Sequence, residues 1–383
     1  MKKTLSFALA VVFLALMFIG SAQKSSAAEY HQKIDAKSAI LMDADTGEIL
    51  YEQDADTPLP PASVTKVMTL LLVMEAIDSG KISLTDSVSV SEEAAKMGGS
   101  QVYLEPGETM SVEEMIKCVV IASANDAAYA LAEHVAGSEA VFVKMMNARA
   151  AELGMKTAHF ENTNGLDDTV TNHTMSARDI AIMSRELLSH EKILEYTTIW
   201  QDTIRNGEFT LTNTNRLVRF YPGATGLKTG STSKALFCIS ASAKRDGMHL
   251  IAVVMGSPTR DIRNAETKKL LDFGFASYAT YKTDGEALPR MSVQGGKSED
   301  VGVRISPISI LLEKGKEKRV EVKVCLPDVI CAPIKADERI GYAEYSVDGT
   351  VVAKADILAT EDVEQISYGD LLYRLFRGMI GAF

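Results

Sequence analysis

Cysteine is scarce in this sequence, with four in 383 residues, far below the density of a disulfide scaffold. No C-x-x-C pair, H-E-x-x-H signature or EF-hand loop occurs, and the six histidines are scattered. Neither a structural nor a catalytic metal is therefore expected. Long runs of Lys and Arg are also missing. The 51 acidic residues outweigh the 40 basic ones, for a net charge of -11 and a pI near 5.2, which argues against a nucleic-acid partner. There is no G-x-S-x-G, so a nucleophile-elbow hydrolase is not supported, and there are no internal repeats. What remains is ordinary globular composition, 46% apolar and 24% charged. At roughly 150 residues per domain the length suggests about two domains.

The two ends differ in kind. Lys2 and Lys3 precede a nearly unbroken apolar run from Leu5 to Ile19, and small residues follow. This reads as a secretory signal over residues 1–28, cleaved after Ala28, with Ala22 as the other cleavage point. The run is shorter than the ~20 residues a spanning helix needs, so the mature chain is expected outside the cytoplasm. At the far end Leu371, Leu372, Leu375, Phe376, Met379, Ile380 and Phe383 recur at helical spacing, with Arg374 and Arg377 off that stripe. A terminal helix docked on its own domain and a helix lying in a membrane surface both fit this pattern.

Between the ends, a hairpin is expected from about Ser38 to Tyr51, turning at Asp45-Thr46-Gly47. Helices are expected over 62–79, from Ser111 (a capping box with Glu114) to Val120, over 125–135, over 139–153, and from Ser176 onward. Strands 235–243 and 248–255 should meet at Asp246-Gly247, a strong two-residue turn signal. A helix from about Asp261 to Tyr278 follows. Residues 282–300 are rich in Gly, Lys and Asp and poor in periodicity, which suits a linker or a domain boundary. Beyond them Val320, Val322 and Val324 alternate with Arg319, Glu321 and Lys323, giving a strand with one apolar and one wet face. Asp348-Gly349 marks another hairpin.

Three short motifs could carry chemistry. Ser63-Val64-Thr65-Lys66 is an S-x-x-K, weak alone because Ser21–Lys24 and Ser231–Lys234 share the pattern. Only Ser63 opens an expected helix, where a spacing of three puts hydroxyl and ammonium on one face and backbone N–H groups point outward. Ser123-Ala124-Asn125 is the single S-x-N and falls between two helices. Lys228-Thr229-Gly230 is the single K-T-G, placed just before a long apolar strand where glycine admits a close-lying ligand backbone. Taken singly, these could be a surface serine, a helix cap and a turn. In this order, 60 and 105 residues apart, they are very improbable as coincidence.

At this point the sequence resembles the penicillin-recognising serine acyl-transferases. Within them it is similar to the low-molecular-mass penicillin-binding proteins, D-alanyl-D-alanine carboxypeptidases of the kind found in Gram-positive bacilli. The likeness extends to Asn125-Asp126-Ala127-Ala128, Leu153-Gly154-Met155, Phe160-Glu161-Asn162 and Asn164-Gly165-Leu166. It implies an α+β fold: a β-lactamase-like catalytic domain (29–281) with an antiparallel sheet, helices on both faces and a helical subdomain. A small β-rich domain (282–366) and an amphipathic helix (367–383) would follow. It also implies release of the terminal D-alanine from peptidoglycan stem peptides ending in D-Ala-D-Ala, without a cofactor, and acylation by β-lactam antibiotics. Ser63 would be the nucleophile, Lys66 its base and Ser123 a proton relay. Asn125, Lys228, Thr229, Gly230 and Ser231 would bind substrate, Ser231 standing where some relatives have histidine. The tail would hold the enzyme on the outer membrane face.

A class A β-lactamase shares the motif set but has aspartate where Ala124 stands and an E-x-x-L-N loop that Glu161-Asn162-Thr163-Asn164 does not match. A catalytically idle wall-binding or β-lactam-sensing protein is the non-enzymatic alternative. Cys118 and Cys238 are expected as buried free thiols. Cys325 and Cys331 are near enough to bridge but are expected unpaired.

Overall fold

The computed structural model describes residue 30 and residues 32–168 and 170–380, with side chains through residue 377. The signal segment expected over 1–28 and the side chains of Met379, Ile380 and Phe383 lie outside the described residues.

The first hairpin forms as expected from β1 (Ser38–Asp43) and β2 (Ile49–Gln53). Asp43 Oδ1 accepts hydrogen bonds from the Thr46 N–H and hydroxyl, both at 2.8 Å, and Gly47 takes φ +77°. Next come helices α1 (Lys66–Asp78), α2 (Val112–Lys117), α3 (Asn125–Ala136), α4 (Glu139–Glu152) and α5 (Ala177–Ser189). Ser111 with Glu114 and Ser176 with Asp179 both close capping boxes, opening α2 and α5 where the sequence placed those starts. Gly137 ends α3 at φ +80°, a conformation glycine enters without steric cost.

Strands β3 (Ala224–Thr232), β4 (Leu236–Arg245) and β5 (Met248–Ser257) complete an antiparallel five-stranded sheet. Its order is β2-β1-β5-β4-β3. Every residue of the central β5 is buried, so both sheet faces are covered. Ile251, Val253 and Met255 join the core shared with α1 and α5. Leu250, on the opposite face, meets α6 (Arg260–Ser277) at Gly274, where an added Cβ would lie 2.5 Å from Leu250 Cδ1. Each such fully buried aliphatic side chain contributes about 1.5–3 kcal/mol. Helix α1 is buried continuously from Lys66 to Met74, an axial position no surface helix would tolerate. The K-T-G strand β3 is a sheet edge, leaving one side free of strand pairing.

The segment expected as a linker is mostly strand. Tyr278–Thr283 pairs with Ile308–Glu313, and Ala287–Gln294 pairs with Asp300–Ile305 across a register shift between Leu288 and Met291. That irregularity contains Pro289 and blurs the two-residue period that would have revealed the strand. A six-stranded sheet closes over a separate core including Val301, Val303, Tyr345 and Ile357. The Val320–Cys325 strand exists, but Val322 and Val324 are 44% and 42% exposed, because the strand sits at the edge of that sheet. All four cysteines are free, with Cys118 and Cys238 buried. The last helix, α7 (Tyr368–Ile380), leaves Leu371, Leu372, Leu375 and Phe376 between 48% and 59% exposed. Among the described residues its apolar stripe is not docked.

Candidate active site

Ser63 sits in a single 3₁₀ turn (Ala62–Thr65) that runs directly into α1. The turn is held from several sides. Ala62 takes φ +50°, which costs a residue with a Cβ about 1–2 kcal/mol. Gly165 lies against its carbonyl so closely that a Cβ there would fall 1.9 Å from Ala62 O. The Thr65 hydroxyl donates to the same carbonyl at 2.8 Å. Behind Thr65 stands His173, only 6% exposed. Its Nδ1 accepts from the Glu161 N–H at 3.1 Å, which places the ring proton on Nε2, 2.9 Å from Thr65 Oγ1. Burial holds this imidazole neutral, its pKa pushed down to about 4. The relay His173 → Thr65 → Ala62 carbonyl thus supports the backbone immediately before the serine.

Lys66 is fully buried, and its Nζ has three oxygen neighbours: Ser63 Oγ at 2.9 Å, Asn125 Oδ1 at 2.5 Å and the Asn164 carbonyl at 2.9 Å. Burial pushes its pKa well below the ordinary lysine value, and the nearby Lys228 cation adds to this, against an opposing pull from Asp126. The count of partners then matters. A neutral amine has two N–H groups and one lone pair. Asn125 Oδ1 and Asn164 O can only accept, so they take the two N–H groups. In that neutral form the lone pair would face the Ser63 hydroxyl, the arrangement a general base requires.

Ser123 and Asn125 are positioned by a break between helices. A π-helical turn (Cys118–Ala122) ends at Ser123, which adopts φ 64°, ψ 29°, and α3 restarts at Asn125. The Asn125 amide donates one N–H to the Gly98 carbonyl at 2.6 Å, leaving the other available. Asp126, fully buried, accepts from the Val102 and Leu104 N–H groups at 3.0 and 3.1 Å, fastening the 98–104 loop beside the serine. Desolvation raises its pKa, opposed by those same backbone donors.

On the other side runs β3. Gly230 passes so near the nucleophile that a Cβ would sit 2.7 Å from the Ser63 nitrogen and 2.9 Å from Pro61 O, both backbone atoms. Only glycine fits this close approach. Lys228 is 1% exposed, its Nζ 3.0 Å from the Thr229 carbonyl. Burial lowers its pKa to about 7, with Arg263 repulsion contributing. The Thr229 hydroxyl donates to Thr214 Oγ1 at 2.9 Å.

Ser63, Ser123, Thr229, Gly230 and Ser231 line one cleft of ≈ 360 Å³. Lys66 and Asn125 bond to one another at its floor, and Lys228 lies within electrostatic reach of Lys66. All eight residues singled out in the sequence therefore converge. Sequence reasoning gave no role to Thr65, Asn164, Gly165, His173, Thr214 or Arg263. Asn164 and Gly165 entered only through the family likeness, and Thr65 only as a spacer within the S-x-x-K motif. Asn164 serves Lys66 through a backbone carbonyl, which no side-chain pattern can reveal.

Comparison with known proteins shows the family. Residues 22–259 match the family described as D-alanyl-D-alanine carboxypeptidase, and residues 277–365 match the penicillin-binding protein 5 C-terminal domain. The chain is 45% identical over 348 residues to the D-alanyl-D-alanine carboxypeptidase DacF of Bacillus subtilis, covering 89% of each. It is 34% identical to DacC of Escherichia coli, covering 87% of this chain and 85% of the relative. Among solved structures, penicillin-binding protein 5 from Haemophilus influenzae aligns with TM-score 0.75 at 33% identity, covering 88% of this chain and 99% of that one. PBP3 from Streptococcus pneumoniae aligns with TM-score 0.72 at 31% identity, covering 87% and 100%. The chain belongs to the D-alanyl-D-alanine carboxypeptidase family of serine hydrolases.

Proposed function

We propose that this enzyme removes the terminal D-alanine of peptidoglycan stem pentapeptides through an acyl-enzyme on Ser63, outside the cytoplasm and at the membrane surface. Lys66 Nζ takes the Ser63 proton as Oγ attacks the penultimate D-alanine carbonyl carbon. The backbone N–H groups of Ser63 and Ser231 receive the oxyanion; losing such a donor costs roughly 3–4 kcal/mol of barrier. As the tetrahedral intermediate collapses, the C–N bond breaks. Ser123 passes a proton to the departing amine and recovers one from Lys66. Asn125 uses its remaining amide N–H on the substrate, while Lys228 and Thr229 hold the terminal carboxylate. Water then cleaves the ester, releasing the shortened peptide and restoring the Ser63 hydroxyl. A β-lactam acylates the same oxygen.

The observation that carries this reading is the buried Lys66 amine, with the Ser63 hydroxyl, the Asn125 side-chain oxygen and the Asn164 carbonyl as its three oxygen neighbours. The β-lactamase alternative needs a carboxylate to activate the deacylating water. Glu161 is instead engaged by the Thr171 and Asn172 N–H groups of its own loop. The exposed apolar stripe of α7, with Arg374 and Arg377 alongside, supports attachment to an anionic lipid surface. The test is D-alanine release from a pentapeptide ending in D-Ala-D-Ala, with intact mass after penicillin. Ser63→Ala should abolish both release and adduct; release by that variant, or an adduct mapped to another residue, refutes the assignment.

A further inference from the structure

The β-rich domain has an edge that its own fold leaves open. Its six-stranded sheet ends on one side in the two-residue strand Ile330–Cys331 and on the other in Val320–Cys325. Val320–Cys325 pairs antiparallel with Arg339–Val347 without a register shift, whereas the next pairing, of Arg339–Val347 with Thr350–Ala359, is irregular. Residues directly opposite in such a ladder share a face of the sheet. Val320, Val322 and Val324 stand across from Val347, Tyr345 and Ala343, all three buried in the core of this domain. The valines therefore lie on the core face, yet Val322 and Val324 are exposed. The core stops one strand short of the end of the sheet.

Glu321 and Lys323 occupy the opposite face, and both are exposed. Among the described residues, neither side chain makes an ion pair or a hydrogen bond. Glu344, which stands across from Lys323, is held instead by Lys354 at 2.8 Å. Natural edge strands are commonly blunted by a bulge, a proline or a charge pointing inward. This strand has none of the three, and its inward side chains are valines.

The order Val320-Glu321-Val322-Lys323-Val324 is complementary to itself in one antiparallel register. When two copies meet edge to edge about a two-fold axis at Val322, valine faces valine along the whole core side. On the other side Glu321 of each copy faces Lys323 of the other, giving two opposite-charge pairs. Moving the axis to Glu321 or Lys323 sets like charges against each other, and a half-step sets valine against charge. The charges thus select a single register.

We propose that this edge docks a second copy of the chain: the two Val320–Cys325 strands pair antiparallel about Val322 and join two β-rich domains into one continuous sheet. A single strand pair is a small interface, so the dimer is weak and reversible. Sedimentation of the full chain over a concentration series tests this. Wild type should pass reversibly from monomer to dimer. Glu321→Lys sets lysine against lysine in both charge pairs and should weaken dimerisation at least about tenfold; Lys323→Glu should do the same with glutamates. Mixed in equal amounts, the two variants should dimerise with each other, because one strand then carries two lysines and the other two glutamates. A single chain with both changes should dimerise like wild type, and every such dimer should weaken as salt is added. Acylation by a fluorescent penicillin and thermal unfolding, unchanged throughout, report that each variant is folded. A wild type that stays monomeric overturns the proposal. So does self-association that neither charge change alters, which would belong to the apolar stripe of α7 or to another surface. A mixture of the two variants that stays monomeric overturns it as well, because the register would then be wrong.

Discussion

Thr65→Val tests whether the hydroxyl relay behind the nucleophile positions Ser63 or merely fills space. The substitution is close to isosteric at a fully buried position. It removes one donor to the Ala62 carbonyl and one acceptor for the His173 Nε2–H. Each buried polar group stranded in this way costs about 1–3 kcal/mol, so an overall loss of about 2–6 kcal/mol of stability is expected. A second effect falls on the reaction. Ala62 holds a left-handed backbone conformation immediately before Ser63, and the Thr65 hydroxyl is one of the contacts that hold it there. Misplacement worth 1.4–2.7 kcal/mol in the transition state lowers the acylation rate about ten- to a hundredfold. Stopped-flow acylation by a fluorescent penicillin, read beside thermal unfolding, separates the two effects. Acylation should slow while the pre-acylation binding constant changes little, and Thr65→Ser should restore the rate despite losing a methyl group. A valine variant that is less stable yet acylates at the wild-type rate would show that the relay has no part in positioning Ser63. So would a serine variant as slow as valine.

Two further outcomes follow from the same structure. His173 and His249 are both held to about 4 by burial, against 6.5 for a free imidazole. The unfolded chain therefore binds more protons between those values, so their contribution is complete above pH 6.5 and is lost as pH falls toward 4, at about 1.4 kcal/mol per pH unit for each ring. Urea unfolding at pH 7, 6 and 5 should show His249→Gln losing less stability on acidification than wild type; identical slopes contradict this. For the tail, Leu372→Glu with Phe376→Glu should cut sedimentation with anionic vesicles at least about tenfold, whereas undiminished sedimentation would place membrane binding elsewhere.

The parts of the site legible in the sequence are those whose chemistry depends on local spacing. Ser63 and Lys66 share a helix face because three residues make about one turn, and the helix start was visible in the apolar pattern that follows. Ser111 with Glu114 and Asp246 with Gly247 were equally readable, because a cap or a two-residue turn is specified within four positions. The supporting shell is different. His173 bonds a residue 108 positions away, Asn164 acts through its backbone, and Gly165 matters because of what it touches. Such contacts exist only after α1 has been buried and the 161–173 loop laid across its start. Edge position was hidden as well. Val320, Val322 and Val324 have the alternation of a half-buried strand, yet nothing local marks that strand as the last in its sheet.

Burying Lys66, Lys228 and Arg263 in one region works against folding, since each loses hydration and, among the described residues, none of the three has a carboxylate ion-pair partner. The arrangement becomes intelligible through the proposed reaction. With Lys228 poised near pH 7, a substrate carboxylate arriving beside it favours the protonated amine. That fixed cation then presses harder on Lys66, keeping its lone pair free when the scissile carbonyl is seated against Ser63. In the proposed reaction, binding of the correct terminus and activation of the base would thus be coupled electrostatically. A peptide without a free C-terminal carboxylate loses more than a binding contact, because it also leaves Lys228 free to shed its proton and so weakens the repulsion that helps hold Lys66 neutral. The deficit for a C-terminally amidated peptide should therefore appear in kcat as well as in KM.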